Sequence, residues 1–170
     1  MTDSGPDLRS RALHGRVLHP GIGAGEVLLL DAPLSFWGGT EHTGTVIDAR
    51  HPQHGQSLAG RVVAMTAGRG SSSSSGVLAE QIRSGHAPAA LLVTEPDTIL
   101  VIGALAAAEL YGLFLPIVQL ETLQDLAEAA GRVVEVTAEE ADEQATIRLT
   151  GPVDPDSDAD PVSSREVSGE

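Results

Sequence analysis

The sequence predicts an α/β fold of mixed sheets with helices on one side, and three observations carry that prediction. Strand-like and helix-like segments alternate across residues 61–118, which indicates parallel strands joined by helical crossovers. Two segments near the end, 131–136 and 145–149, read as the arms of a closing hairpin. The 170 residues are 41% apolar, enough for one domain with its own core, yet only 2% aromatic, so aliphatic side chains and alanine must fill that core.

Residues 11–19 alternate as an early strand, and Gly21-Ile22-Gly23-Ala24-Gly25 is read as the turn into a second strand, 26–30, in a hairpin or meander. These glycines lack the GxGxxG spacing, and a strand rather than a helix follows, which excludes a dinucleotide loop. Residues 32–39 form a long loop carrying Phe36, the single tryptophan Trp37 and the pair Gly38-Gly39. Such aromatics either wall a pocket or a partner surface, or anchor the loop to the domain. Thr45-Val46-Ile47-Asp48 reads as a short strand. His51 and His54 are three apart, but the intervening Pro52 disfavours a helix and no third ligand follows, so the pair falls short of a metal site.

Residues 60–66 have the short, β-branched character of a buried strand. In the helix that follows, Val77, Leu78, Ala79 and Ile82 cover one face while Glu80, Gln81 and Arg83 fall on another, and Gly85 closes it in a left-handed conformation. Residues 89–93 form the next buried strand, and Glu95-Pro96-Asp97 a turn. Asp97 or Thr98 caps a second helix running through Ile99, Ile102, Leu105, Ala106, Glu109 and Leu110 to Gly112. The following strand begins at Pro116, residues 122–130 make a short helix, and Glu139, Glu140, Asp142 and Glu143 form a solvated turn between the hairpin arms.

A formal charge of −14, with no lysine among the ten basic residues, argues against nucleic acid or an anionic membrane as partner. Residues 151–170 hold six acidic residues against one arginine, with three prolines, so this tail is expected to be disordered, as is the N-terminal tail 1–10; the domain is then 11–150. The chain opens on nothing resembling a signal peptide and has no apolar run of membrane-spanning length, so a cytoplasmic location is expected. It has no cysteine, which removes disulfides, a thiol nucleophile and thiolate ligation of iron–sulfur or zinc. Any such cofactor must be held by another polypeptide.

Between the strand at 60–66 and its helix runs Arg69-Gly70-Ser71-Ser72-Ser73-Ser74-Ser75-Gly76. Taken alone, five serines make a flexible polar linker with one serving as the helix cap. A linker seldom joins a buried strand directly to an apolar-faced helix, so the run also reads as a strand-to-helix loop with its hydroxyls at a helix N-terminus. Backbone N–H groups of a first turn lack intrahelical partners and favour an anion or developing negative charge. Arg69 adds a full positive charge.

Several segments together resemble the small, swivelling domain of the aconitase X family: Pro33-Leu34-Ser35-Phe36-Trp37-Gly38-Gly39, Thr43-Gly44-Thr45-Val46-Ile47-Asp48 with His51-Pro52, Gly60-Arg61-Val62-Val63, Arg69-Gly70-Ser71-Ser72 with Ser75, and Ala87-Pro88-Ala89-Ala90. The likeness runs in order across roughly 13–136. It implies a three-layer β/β/α swivelling domain that serves as the small subunit of a hydro-lyase. The partner would be an aconitase X-type large subunit that holds an iron–sulfur cluster or a divalent metal, with none bound by this chain. The implied substrate is a hydroxylated carboxylic acid, cis-3-hydroxy-L-proline or (R)-5-phosphomevalonate. The family's proton-abstracting serine falls on Ser71, and Arg69, Gly70, Ser72 and Ser75 are expected to bind substrate. At Ser74 the family often has glycine, and a left-handed backbone there would be strained.

Two other readings stand beside this one. A non-catalytic scaffold or binding subunit would use the loop of Phe36 and Trp37 to dock. A phosphohistidine-type swivelling carrier would need a nucleophilic histidine near the start of the second helix, where this chain has Leu100, Val101 and Ile102.

Overall fold

The computed structural model describes residues 12–150. The expected strand start at Arg11 and the two tails expected to be disordered, 1–10 and 151–170, lie outside the described residues. In chain order the elements are β1 (Ala12–His19), β2 (Gly21–Leu29), the single turn α1 (Phe36–Gly39), β3 (Val62–Met65), α2 (Ser74–Ser84), β4 (Ala90–Val93), α3 (Thr98–Tyr111), β5 (Ile117–Gln119), α4 (Gln124–Ala127), β6 (Val133–Ala138) and β7 (Gln144–Leu149).

At the centre lie β2, β3, β4 and β5, each parallel to its neighbour, as the alternation of strands and helices predicts. β6 and β7 form the expected antiparallel hairpin. The seven strands close in the order β1-β5-β4-β3-β2-β6-β7.

Successive side chains of a strand point to opposite faces, and here each face has its own core. Val63, Met65, Leu91, Val93 and Ile117 meet Leu78 of α2 and Leu100, Ala104 and Ala107 of α3. Their neighbours Val62, Ala64, Ala90, Leu92 and Val118 turn the other way, against Val134 and Val136 of β6 and Ala145 and Ile147 of β7. β3 and β4 are buried on both faces along their whole length, which is why they read as unbroken apolar runs. The result is three layers: the β6–β7 hairpin, the parallel sheet and the two helices. It is the β/β/α arrangement expected.

The opening of the chain departs from expectation. β1 and β2 follow each other across Pro20 but are not a hairpin. β1 pairs with β7 through Ala12 to Arg16 and with β5 through Arg16 to His19. β2 pairs with β6 through Gly21 to Glu26 and with β3 through Val27 to Leu29. Each long strand therefore crosses from one layer to the other and closes the ring. The glycines serve that crossing rather than a turn: a Cβ on Gly23 would lie 1.9 Å from the Ala89 carbonyl oxygen, and one on Gly25 2.2 Å from that of Gly60. Thr45 to Asp48 is likewise no strand. Thr40 to Val46 and Thr45 to Ser57 are isolated bridges within a loop, whose Val46 and Leu58 reach the helix-side core.

The helix ends follow local chemistry. Asp97 caps α3 by accepting the N–H groups of Ile99 and Leu100 at 2.9 and 3.3 Å. Gly85 and Gly112 end α2 and α3 in the left-handed conformation, with φ of 78° and 66°. In α1 the two aromatics divide: Phe36 is buried in the helix-side core, while Trp37 is 58% exposed.

Candidate functional site at the serine turn

β3 ends at Met65, and its carboxyl end leads through Gly68 into the serine run and then α2. Loops at the carboxyl ends of parallel strands are where such folds build sites. This one is interlocked with the segment before α1. Leu34 and Gly68 form a parallel bridge, and the Arg69 N–H donates to the Leu34 carbonyl at 3.1 Å. Gly70 has φ of 99°, and a Cβ there would stand 2.5 Å from Ser35 Oγ, so backbone conformation and space both require glycine. The Trp37 N–H donates to Ser74 Oγ at 3.0 Å, and Ser74 is buried.

Within the run the backbone already turns as a helix. The Ser74 and Ser75 N–H groups donate to the Ser71 and Ser72 carbonyls at 3.0 and 3.1 Å. The Ser73 N–H donates to Ser71 Oγ at 3.2 Å, and Ser75 Oγ donates to the Ser72 carbonyl at 2.8 Å. This is an ordered turn, not a flexible linker. Ser74 is the first residue of α2, and among the described residues no residue other than glycine has positive φ, so the strain that a left-handed Ser74 would carry does not arise. Two expectations for the helix start are corrected. Ser73 occupies the N-cap position but makes no side-chain cap bond. The Ser74 and Ser75 N–H groups are engaged within the turn, because the chain tightens to i→i+3 bonds before α2 proper begins, and the Ser73 N–H is taken by Ser71 Oγ.

Of the residues singled out from sequence, Ser71, Ser72 and Arg69 are exposed at the turn, and Gly70 holds its close approach to Ser35. The Ser75 hydroxyl is turned back onto the Ser72 carbonyl at the surface. Ser71 Oγ receives an N–H donor, the kind of contact that stabilises negative charge on oxygen. Arg69 Nη2 donates to Asp48 Oδ2 at 2.9 Å, and Asp48 Oδ1 accepts the Arg50 N–H at 2.9 Å. The Arg50 N–H, and after it the Arg69 guanidinium, hold the Asp48 carboxyl below the usual carboxylate range, with partial burial opposing them.

Two site residues were missed from sequence. Asp48 lies 21 residues before Arg69, and no local spacing links them. Ser74, set apart in sequence only by the glycine that the family often has there, is the serine that ties Trp37 to the turn. His51, considered as a ligand, is buried with both ring nitrogens engaged: Nε2 with the Ala32 carbonyl at 3.0 Å and Nδ1 with the Gln53 N–H at 3.1 Å. It braces the loop around Asp48.

Residues 12–146 match the family model for the aconitase X swivel domain. The chain is 50% identical over 103 residues to cis-3-hydroxy-L-proline dehydratase of Pseudomonas aeruginosa, an alignment covering 60% of this chain and 18% of that one. It is 36% identical over 131 residues to the phosphomevalonate dehydratase small subunit of Thermococcus gammatolerans, covering 76% of this chain and 94% of that one. The chain thus spans under a fifth of the first relative and nearly all of the second. The crystal structure of Thermococcus kodakaraensis aconitase X in its holo-form superposes with a TM-score of 0.67 at 31% identity, over 81% of this chain and 98% of that one.

Proposed function

Because this chain belongs to the aconitase X swivel domain family, we propose that it is the small subunit of a hydro-lyase, active with a large subunit and supplying Ser71 as the base. The substrate is a hydroxylated carboxylic acid, and the names of the relatives point to cis-3-hydroxy-L-proline and (R)-5-phosphomevalonate as the two to test. The observation that carries this reading is the setting of Ser71: an exposed hydroxyl beside a glycine of positive φ, at the carboxyl end of a buried strand, receiving a backbone N–H at the head of a helix.

In the elimination, Ser71 Oγ takes the proton from the carbon next to the one bearing the hydroxyl. The C–H electron pair becomes the new double bond, and the hydroxyl departs with its own bonding pair. A serine hydroxyl is too weakly acidic to act as an alkoxide at neutral pH unless donors stabilise the charge. The Ser73 N–H donates to that oxygen, and Arg69 adds positive charge in the same loop. Arg69, Gly70, Ser72 and Ser75 shape the ground around it.

The departing hydroxyl needs a proton donor or Lewis acid, which an iron–sulfur cluster or divalent metal on the large subunit supplies when bound. The chain has no cysteine to ligate a cluster, His51 is occupied on both nitrogens, and among the described residues no three of His, Asp or Glu stand together so as to hold a metal ion. Among the described residues no helix is long and apolar enough to cross a membrane, and under this reading the reaction takes place in the cytoplasm.

The test is co-expression with a large-subunit candidate and a dehydration assay on both substrates. With Ser71→Ala, turnover should be abolished while the complex stays intact. Full activity of Ser71→Ala would overturn the assignment of the base, and a chain that binds no large subunit would leave the scaffold reading standing instead.

A further inference from the structure

We propose that Asp48 is a positioning residue for this site: it orients the Arg69 guanidinium at the serine turn, so that the arginine meets the anionic group of the substrate in a fixed pose. The inference rests on the proposed hydro-lyase reading. Nothing in the sequence pattern pairs the two residues. The pairing comes from the loop between α1 and β3, which carries Asp48 up to the turn.

The two partners are unequally held. Arg69 is exposed over 59% of its side chain, whereas Asp48 is exposed over only 23%. Asp48 is fixed from several sides. Oδ1 accepts the Arg50 N–H, the His51 N–H donates to the Asp48 carbonyl at 3.0 Å, and the Asp48 N–H reaches the Gly39 carbonyl at 3.4 Å. His51 in turn is pinned to Ala32 and Gln53. The carboxylate is therefore the fixed member and the long arginine the adjustable one. An exposed pair of this kind adds little to stability, so its consequence lies in where it directs the guanidinium.

A guanidinium carries five N–H donors in a planar fork. Asp48 occupies one, on Nη2, which leaves the rest of the fork for a carboxylate or phosphate oxygen. The negative charge of Asp48 also moderates the pull of the arginine on an anion. Removing that charge should leave anion binding as strong or stronger while releasing the orientation.

The experiment uses the complex of this chain with its large subunit and the substrate that the wild type turns over. Asp48→Asn should lower kcat by about tenfold, the scale of a sub-ångström misplacement, without raising KM. Arg69→Ala should raise KM. In an Arg69→Ala background, Asp48→Asn should change kcat/KM by less than about twofold, because the residue through which it acts is gone. Wild-type kcat in Asp48→Asn, or an equal loss in both backgrounds, would overturn the inference. If Asp48→Asn does not yield a folded complex, Asp48→Glu displaces the guanidinium while keeping the charge. An unchanged kcat there refutes the inference, and a lowered kcat at unchanged melting temperature supports it. A wild-type complex that dehydrates neither substrate would sink the underlying reading instead.

Discussion

Gly103→Ala tests whether the serine turn is held in place by the helix behind it. Gly103 lies in α3 where that helix packs on the first turn of α2, and a Cβ there would stand 2.7 Å from the Ser75 carbonyl oxygen, 3.2 Å from Ser75 Cα and 3.2 Å from Leu78 Cβ. The nearest atom is backbone and cannot rotate away, so the helices must part by roughly 0.7 Å to restore ordinary contact. Alanine in place of glycine gains about 0.8–1.0 kcal/mol of helix propensity, while overpacking a close contact costs about 1–3 kcal/mol. The two leave a net loss of up to about 2 kcal/mol, or a fall in Tm of up to about 4–8 °C for a domain of this size. The displaced atom belongs to Ser75, so the shift passes into the turn that carries Ser71, and kcat of the complex should fall by about tenfold. Calorimetric melting and steady-state kinetics on the same preparation check both. A raised Tm with unchanged kcat would refute the reasoning, since propensity would then outweigh packing and the helices would not fix the turn.

Ser74→Ala removes the acceptor of the Trp37 N–H and should cost about 1 kcal/mol. Trp37 is the only tryptophan, so its fluorescence anisotropy should fall and its quenching by acrylamide rise; unchanged fluorescence would mean that the bond does not hold the loop. The carboxyl of Asp48, followed by NMR, should titrate below the ordinary aspartate range because the Arg50 N–H and then Arg69 favour its charged form. A lowered folded-state pKa means that its stabilisation is present above the unfolded-state value and lost as pH falls through the folded-state one. In Arg69→Ala the midpoint should rise only partway, since the Arg50 N–H remains; an unmoved midpoint would show that Arg69 contributes nothing.

What was legible in the sequence was chemistry that acts over a few residues. Asp97 with the N–H groups just after it, and Gly85 and Gly112 just past their helices, fix helix ends by contacts within one turn. β3 and β4 were legible because burial on both faces leaves an unbroken apolar run. The same evidence misled at the opening of the chain. Alternate glycines at 21, 23 and 25 look alike whether they relieve a turn or admit a crossing strand, and the deciding atoms belong to Ala89 and Gly60, far along the chain. The serine run was legible as a strand-to-helix loop at a helix start, but not in its internal division. Ser71 and Ser74 differ only in that one faces solvent and the other receives a bond from Trp37.

The closed ring sets how such a domain can deliver a side chain to another surface. Each of the seven strands has two partners in the ring, and β1 and β2 each divide their length between theirs. The serine turn stands beyond the end of β3 and gains rigidity only from what it packs against. Three ties to three different segments give the serine turn that rigidity. Gly103 of α3 abuts Ser75, the Trp37 N–H of α1 meets Ser74, and the Arg69 N–H meets the carbonyl of Leu34 in the segment before α1. A turn fixed from three directions can neither slide along α3 nor swing away from α1, which is why a change at any one of the three sites should reach Ser71 although none of them touches it.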